Sequence, residues 1–208
     1  MANYTIIIRS VFTIHFSRKL FYDNQRAWFR TNSYASTSQA IQDPFTFYYV
    51  QDNDWSTTHN YDYWNKNFTS SVGMNNTATK KTVYDPSMTG FVLPKTAAFT
   101  GFTYTGGNTS NSNELNVSGS FNKGWNYYTN GWKSGGLFFM IAPGYRDTAS
   151  SRTTGLGLIL DVGNVADFWN VGASSYIKAR GLGFIKTVTN PQGEYFRSYG
   201  YALYLVLE

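Results

Sequence analysis

The sequence predicts an α+β domain at residues 34–208, with a twisted antiparallel sheet, short helices and long ordered loops, behind an extended β arm at residues 1–33. Apolar stretches of strand length recur in the second half of the chain, separated by glycine-bearing turns. These strand candidates are residues 137–142, 156–162, 176–184 and 202–207. In residues 4–21, apolar and polar side chains alternate without a helical period, which indicates one or two strands in the arm.

Two segments have short helical patterns. Residues 38–42 fit a short helix that ends at Asp43-Pro44, because the residue before a proline is pushed out of the helical region. Residues 94–99 fit a second short helix, in which Thr96 is the expected N-cap. The helical content is therefore expected to be small.

Residues 52–79 are predicted to be a long but ordered loop. The segment is rich in Asn, Thr, Ser and Asp and has little periodicity. Large aromatic residues are nevertheless too frequent there for a solvated linker. They are Trp55, Tyr61, Tyr63, Trp64 and Phe68.

Composition and charge narrow the classes of function. Aromatic residues make up 19% of the 208-residue chain and charged residues only 14%, which excludes a charge-solvated disordered polymer. Residues 1–32 hold five arginine or lysine residues against one aspartate, so most of the formal charge of +5 lies in the arm. Nucleic-acid binding needs a clustered basic face. We therefore expect no nucleic-acid partner for the nearly neutral body.

The chain contains no cysteine. We therefore expect no disulfide, no thiolate metal site, no cysteine nucleophile and no bacterial lipid anchor. The only apolar run near the start, Ile6-Ile7-Ile8, is interrupted by Arg9 and is too short for a signal sequence or a membrane span. We expect synthesis in the cytoplasm without a secretion signal, and no membrane insertion.

Catalytic and metal-binding patterns are sparse. His15 and His59 are the only histidines, and neither a Gly-x-Ser-x-Gly elbow nor a paired-histidine metal spacing is present. We expect no catalytic residues, no metal and no cofactor. A carboxylate pair for glycoside hydrolysis stays open on sequence alone, with Asp161 and either Asp167 or Glu194 as formal candidates.

A series of short motifs follows in a fixed order through residues 38–208. They are Tyr84-Asp85-Pro86, Gly90-Phe91, Leu93-Pro94, Ala98-Phe99-Thr100-Gly101-Phe102, Phe121-Asn122-Lys123-Gly124-Trp125-Asn126, Ala142-Pro143-Gly144-Tyr145-Arg146, Trp169 and Arg197-Ser198-Tyr199-Gly200-Tyr201. In this order the chain resembles the Fibrobacter succinogenes major paralogous domain family, which is found in Bacteroidetes and their phages. The resemblance implies a C-type-lectin-like fold for the body.

The chain departs from that family at two places. Ser87-Met88 stands where members commonly have Cys-Pro, and Trp169-Asn170-Val171 stands where they have a Trp-Ser-Ser segment. Relatives with oxygenase chemistry need cysteines, so the resemblance does not extend to that activity. Asn190-Pro191-Gln192 and Trp169-Asn170-Val171 also lack the carboxylates that a calcium-dependent lectin uses.

Some residues of the motifs have structural roles that physical chemistry predicts. Gly124 and Gly144 precede Trp125 and Tyr145, where a glycine lets the backbone pass close to a core aromatic. Arg146 and Arg197 are expected to hold loop carbonyls or carboxylates, because a guanidinium offers five donors.

The resemblance implies a non-enzymatic surface, tail or fibre protein of a phage virion, which binds a bacterial envelope glycan or protein for host attachment. Tryptophan and tyrosine supply contact area, and Asn, Gln and Ser supply adaptable hydrogen bonds. The ligand-binding candidates are Trp169, Asn170, Ser174, Tyr176, Lys178, Arg180, Asn190, Gln192 and Tyr195. The structural alternative is that half of them only close the sheet.

The arm is expected to dock on other virion proteins or on sister subunits by adding strands to them. Its docking candidates are Ile6, Ile8, Val11, Phe12, Ile14 and Phe16. A homotrimer stays open. Two alternatives also stay open: a purely structural capsid-decoration or tail component, and a Bacteroidetes cell-surface or fimbria-associated adhesin.

Overall fold

The computed structural model describes residues 30–43, 46–68, 76–149 and 156–208. The strands predicted within residues 4–21 lie outside the described residues. The same is true of the six docking candidates of the arm, Ile6, Ile8, Val11, Phe12, Ile14 and Phe16.

The described part of the chain is mostly sheet with few helices. Its strands are β1 Arg30–Asn32, β2 Phe47–Tyr49, β3 Phe91–Val92, β4 Val117–Ser118, β5 Gly124–Tyr128, β6 Leu137–Ile141, β7 Tyr145–Arg146, β8 Ile159–Leu160, β9 Ala166–Ala173, β10 Lys178–Phe184, β11 Thr189–Phe196, β12 Ala202–Leu203 and β13 Val206–Leu207. The helix α1 spans Thr37–Gln42, and 3₁₀ helices span Thr96–Phe102 and Ser112–Glu114. The α+β class predicted from the sequence is confirmed at this level.

The largest sheet has the strand order β11-β10-β9-β12. β10 is antiparallel to both of its neighbours, whereas β12 runs parallel to β9. A second, antiparallel sheet has the order β4-β5-β6, and three strand pairs complete the described architecture: β1-β2, β3-β13 and β7-β8. The β1-β2 pairing is parallel, so residues 30–32, which the sequence placed in the arm, pair with the body.

β9 lies between two hydrophobic clusters, and all eight of its residues are buried. Successive side chains of a strand point to opposite faces of a sheet. Phe168 accordingly packs with Tyr127, Met140 and Phe184 in one cluster. Trp169 packs in the other cluster, which contains Leu93, Val171, Ala179, Tyr201 and Leu203.

The two predicted helices are confirmed in place, but one cap is wrong. Ser36 caps α1 through a capping box, in which its hydroxyl accepts from the Gln39 amide and the Gln39 side chain accepts from the Ser36 amide. At the second helix Lys95 occupies the N-cap position without a side-chain hydrogen bond, and Thr96 is the first helical residue and fully buried. Packing of Thr96 against the sheet therefore decides its position.

Among the described residues, no helix has the length and apolar character that a membrane crossing requires.

Gly124 and Gly144 lie at close backbone approaches, as predicted. A Cβ on Gly124 would lie 2.3 Å from the Met140 carbonyl oxygen, and one on Gly144 would lie 2.2 Å from the Leu160 carbonyl oxygen. Gly144 also has a φ of +73°, in the left-handed region. Only glycine fits this turn before β7.

We expect Gly144→Ala to be strongly destabilising. Gly119→Ala is a matched control, because Gly119 has a φ of +75° but no atom within 4 Å of its Cβ position. The free energy of unfolding of the control should fall by about 1–2 kcal/mol, because alanine is strained in the left-handed backbone region. The free energy of unfolding of Gly144→Ala should fall by roughly a further 1–3 kcal/mol, because the new Cβ overlaps the Leu160 carbonyl oxygen. Urea unfolding of both variants measures the difference, and equal losses would contradict the close approach.

Candidate functional site

An aromatic pocket lies between the loop of residues 52–68 and strands β9 and β10. The space inside it that the centre of a water-sized sphere can occupy is about 40 Å³. The residues that line it are Trp55, Tyr61, Tyr63, Trp64, Trp169, Asn170, Val171, Gly172, Ala173, Ala179 and Arg197. Five of these side chains are large aromatics and four are small or aliphatic, so the wall is mostly apolar.

The loop that forms one wall has almost no regular structure, and it is held by backbone hydrogen bonds to distant segments. The Ala35 amide donates to the Trp55 carbonyl at 2.9 Å, and the Ser198 amide donates to the Asn53 carbonyl at 3.0 Å. Ala35, Ala40, Trp55 and Tyr63 form a small buried cluster beneath it. The prediction of an ordered loop is confirmed for residues 52–68.

The hydroxyl of Tyr63 anchors this wall. It lies 2.5 Å from the Thr58 hydroxyl, 3.0 Å from the Ser56 hydroxyl and 3.2 Å from the Thr37 hydroxyl. The ring also packs against Trp55 with the centroids 5.6 Å apart. These contacts fix the orientation of two aromatic side chains of the pocket.

A buried ion pair ties the loop to the end of β11. Arg197 Nη1 lies 3.0 Å from Asp54 Oδ2, and His59 Nδ1 lies 3.1 Å from the same oxygen. Arg197 also donates to the carbonyls of Tyr176 and Asn60. It thus holds loop carbonyls and a carboxylate, as predicted. Burial raises the pKa of Asp54, while Arg197 and His59 oppose that rise.

A bulge in β9 forms the opposite wall. Trp169 pairs with Gly181 and Ala173 pairs with Ala179, so three residues of β9 lie opposite the single residue Arg180. The Val171 amide donates to the Pro94 carbonyl at 3.0 Å instead of to β10. The bulge therefore brings residues 169–173 to the pocket as a continuous wall.

Two buried donors of this wall have no partner among the described residues: Trp169 Nε1 and Asn170 Nδ2. The exposed fraction is 1% for Trp169 and 0% for Asn170. The amide oxygen of Asn170 is engaged, because it accepts from the Gly172 amide at 2.8 Å. A buried donor without a partner costs about 1–3 kcal/mol, so such groups are rare and often functional.

Of the nine predicted ligand-binding residues, the structure brings Trp169 and Asn170 into the pocket. Tyr195 packs edge-on against Trp169, with the ring centroids 6.4 Å apart. Ser174 is buried at the turn between β9 and β10, where its amide donates to the Lys178 carbonyl at 3.0 Å. Tyr176 is 57% exposed and contacts the edge of His59.

The remaining candidates lie along β10 and β11, away from the pocket. Arg180 forms an ion pair with Glu194 at 2.9 Å and donates to the Gln192 carbonyl at 3.3 Å. Lys178 lies over the ring of Phe196. Burial raises the pKa of Tyr195, and the side chain of Asn190 opposes that rise. The nine residues therefore do not form one continuous site.

Sequence reasoning missed most of the other pocket wall. Trp55, Tyr61, Tyr63 and Trp64 come from a segment more than 100 residues before β9. The signal that could have found them is the excess of large aromatics in a polar loop. Arg197 was predicted only as a structural residue, and it serves both as a tie and as a lining residue.

The formal carboxylate candidates are in different settings. Asp161 is exposed, Glu194 is paired with Arg180, and Asp167 is buried. Burial raises the pKa of Asp167 well above its usual range. The nearby Asp167 carboxyl also contributes to the raised pKa of Tyr195 and Tyr201. Within the described ranges, no group of three or more His, Asp or Glu side chains could hold a metal ion.

We expect Arg197→Met to be strongly destabilising, because it leaves Asp54, a fully buried carboxyl, without its cation. Removing one partner of a buried pair costs about 3–5 kcal/mol. Arg180→Met is the matched control, since the side chain of its partner Glu194 is 46% exposed, and it should lose less than about 1 kcal/mol. Urea unfolding distinguishes the two. Similar losses would show that the Asp54 pair does not hold the loop.

We expect Asp167→Asn to stabilise the protein at neutral pH. The folded-state pKa is raised above the unfolded value of 3.8, so the stability from this group is present below 3.8 and is lost as the pH rises through the folded value. The asparagine does not titrate. Its advantage in Tm should be clear at about pH 7 and small at about pH 4. Asp161→Asn controls for the charge change, and a pH-independent difference at Asp167 would contradict the assignment.

Comparisons of this chain with family models, with curated proteins and with solved structures give no match. The fold class stated above, mostly sheet with few helices, follows from the strand pairing of the chain itself.

Proposed function

We propose that this chain is a non-enzymatic virion protein of a phage, whose body has a C-type-lectin-like fold and binds a glycan or protein of the bacterial envelope. The observation that carries the proposal is the aromatic pocket, whose lining includes Trp55, Tyr61, Trp64 and Arg197. Aromatic faces with a few fixed hydrogen-bond donors are the usual composition of a recognition pocket.

The pocket is suited to holding a ligand in one orientation. Tyr63 is fixed by three hydroxyl contacts, and Arg197 is fixed by Asp54 and two carbonyls. Rigid aromatic side chains contribute contact area with little loss of conformational entropy on binding. The groups that face the ligand are thus preorganised for binding.

The motif order that resembles the Fibrobacter succinogenes major paralogous domain family supports the same proposal, because that family occurs in Bacteroidetes and their phages. In this proposal the arm of residues 1–33 docks the body to other virion proteins or to sister subunits, in a homotrimer if the protein tips a fibre. Its alternating apolar residues would otherwise expose a hydrophobic surface to water.

A purely structural role in the virion is the second candidate. It is favoured by exposed apolar side chains on β6, where Leu137 and Phe139 are exposed. β6 is also at the edge of its sheet in the described residues, because the strand order is β4-β5-β6. An apolar edge strand is suited to contact with another protein.

We expect the full-length protein to bind envelope fragments of its host, and Tyr61→Ala to weaken that binding about tenfold or more, as at other aromatic hot spots. Tyr61 lines the pocket. Tyr104→Ala is the control, because Tyr104 is 66% exposed and lies elsewhere. Sedimentation of labelled protein with envelope fragments measures both. A full-length chain that joins virus particles but binds no envelope would favour the structural role instead.

A further inference from the structure

Arg146, on β7, is a buried cation outside the aromatic pocket, with 7% of its surface exposed. Its Nη1 donates to the Gly157 carbonyl at 2.6 Å, and its guanidinium lies 5.5 Å from the centroid of the Phe47 ring. A guanidinium has five N–H donors, so most of its hydrogen-bonding capacity is still available. No described residue accepts from Nε or Nη2, and neither atom is closed off from solvent.

Arg30 brings a second guanidinium to the same place. Its Nη1 donates to the Leu156 carbonyl, which precedes the carbonyl of Gly157 in the chain. A Cβ on Gly157 would lie 3.2 Å from Arg30 Cδ and 3.2 Å from Phe47 Cδ1, so the two arginines flank the same glycine and the same ring. Burial and the charge of Arg30 together lower the pKa of Arg146 to about 10. The fold thus holds two like charges side by side.

No carboxylate of the described ranges balances this pair. All acidic residues of the chain except Asp23 lie in those ranges, and none of them forms an ion pair with Arg30 or Arg146. Asp147 follows Arg146 directly, but its Oδ1 accepts from the Ala149 amide at 2.8 Å. The carbonyls of residues 156 and 157 accept hydrogen bonds but carry no net charge. A buried charge is costly unless it is paired, so the site calls for an anion.

The number of charges and donors matches a phosphate group. A carboxylate balances one positive charge and accepts through two oxygens, whereas a phosphate group carries about −1.5 to −2 at pH 7 and has at least three acceptor oxygens. The planar fork of an arginine binds such oxygens in pairs. Two arginine forks therefore suit a phosphate better than a carboxylate.

We infer that Arg30 and Arg146 form a binding site for a phosphate group, carried by inorganic phosphate or by a phosphorylated sugar. The inference goes beyond the proposed function and does not depend on it, because neither arginine lines the aromatic pocket. Arg30 is the first residue of β1, so a bound phosphate joins β1 to β7 at the point where the arm leads into the body.

The test titrates the full-length protein with inorganic phosphate, glucose 1-phosphate and acetate by calorimetry, in a buffer free of phosphate and at constant ionic strength. We expect one phosphate per chain with a Kd of about 1 mM or lower. Acetate should bind about tenfold or more weakly, because it has one charge and two oxygens. Binding of glucose 1-phosphate at least as tight as that of inorganic phosphate assigns the site to a phosphate ester, and weaker binding assigns it to the free ion. In NMR spectra of the parent protein, the Nε–H signal of Arg146 should shift with phosphate.

Arg30→Gln removes one of the two charges at an exposed position, so the variant should fold and should bind phosphate about tenfold or more weakly. Arg180→Gln is the matched control. Arg180 also donates to a backbone carbonyl, that of Gln192, but its charge is balanced by Glu194 at 2.9 Å. The control should retain the phosphate affinity of the parent. Thermal unfolding shows whether each variant is folded.

Asp23→Asn tests whether the arm supplies the anion. Phosphate binding by Asp23→Asn but not by the parent would show that Asp23 fills the site, and it would overturn the inference. Three other results would also overturn it: no phosphate binding by either protein, equal binding of acetate and phosphate, and equal phosphate affinities of Arg30→Gln and Arg180→Gln. None of these results bears on envelope binding at the aromatic pocket, which Tyr61→Ala tests separately.

Discussion

The structure depends on the burial of β9 on both of its faces. A strand in this position must be apolar on both faces. Phe168 and Trp169 meet this requirement, because they pack into different clusters. The bulge after Trp169 interrupts the pairing of β9 with β10, although the residues of the bulge are buried. Backbone groups released there need other partners, and the Val171 amide finds one in Pro94. The pocket wall is thus the one part of the buried strand β9 where its pairing with β10 is interrupted.

The opposite wall is held by a different kind of interaction. Residues 52–68 have few ladder hydrogen bonds of their own, so their position depends on long-range ties such as Arg197 to Asp54. Burial of this pair costs the desolvation of both groups. Their attraction offsets that cost because the two groups are close and His59 also contacts the carboxylate. An apolar pair would fill the same space, but it would not supply the hydrogen bonds from Arg197 to the carbonyls of Asn60 and Tyr176. The charge is retained where it fixes the loop in one arrangement.

The sequence allowed prediction of the class, the helix positions and the close approaches at Gly124 and Gly144, because these depend on local patterns. It did not allow prediction of β5, β9 and β11 as strands. β9 is buried on both faces, so it has no alternating pattern, and Asp167, Asn170 and Gly172 disguise it further. β11 contains Pro191, which reads as a strand breaker. Two residues of the candidate site, Trp169 and Asn170, could be predicted from the sequence. The opposite wall could not, because the sequence does not show which distant loop packs there.

Two buried tryptophans differ in how their indole N–H groups are satisfied. Trp125 and Trp169 are both buried, and burial normally requires the indole N–H to have an acceptor. The fold supplies one to Trp125 from Ile185, across 60 residues of sequence. It supplies none to Trp169 within the described residues, although phenylalanine would fill much of the same space without a donor. The indole nitrogen at residue 169 is therefore a buried donor that the described residues leave unpaired, which costs about 1–3 kcal/mol of folding free energy.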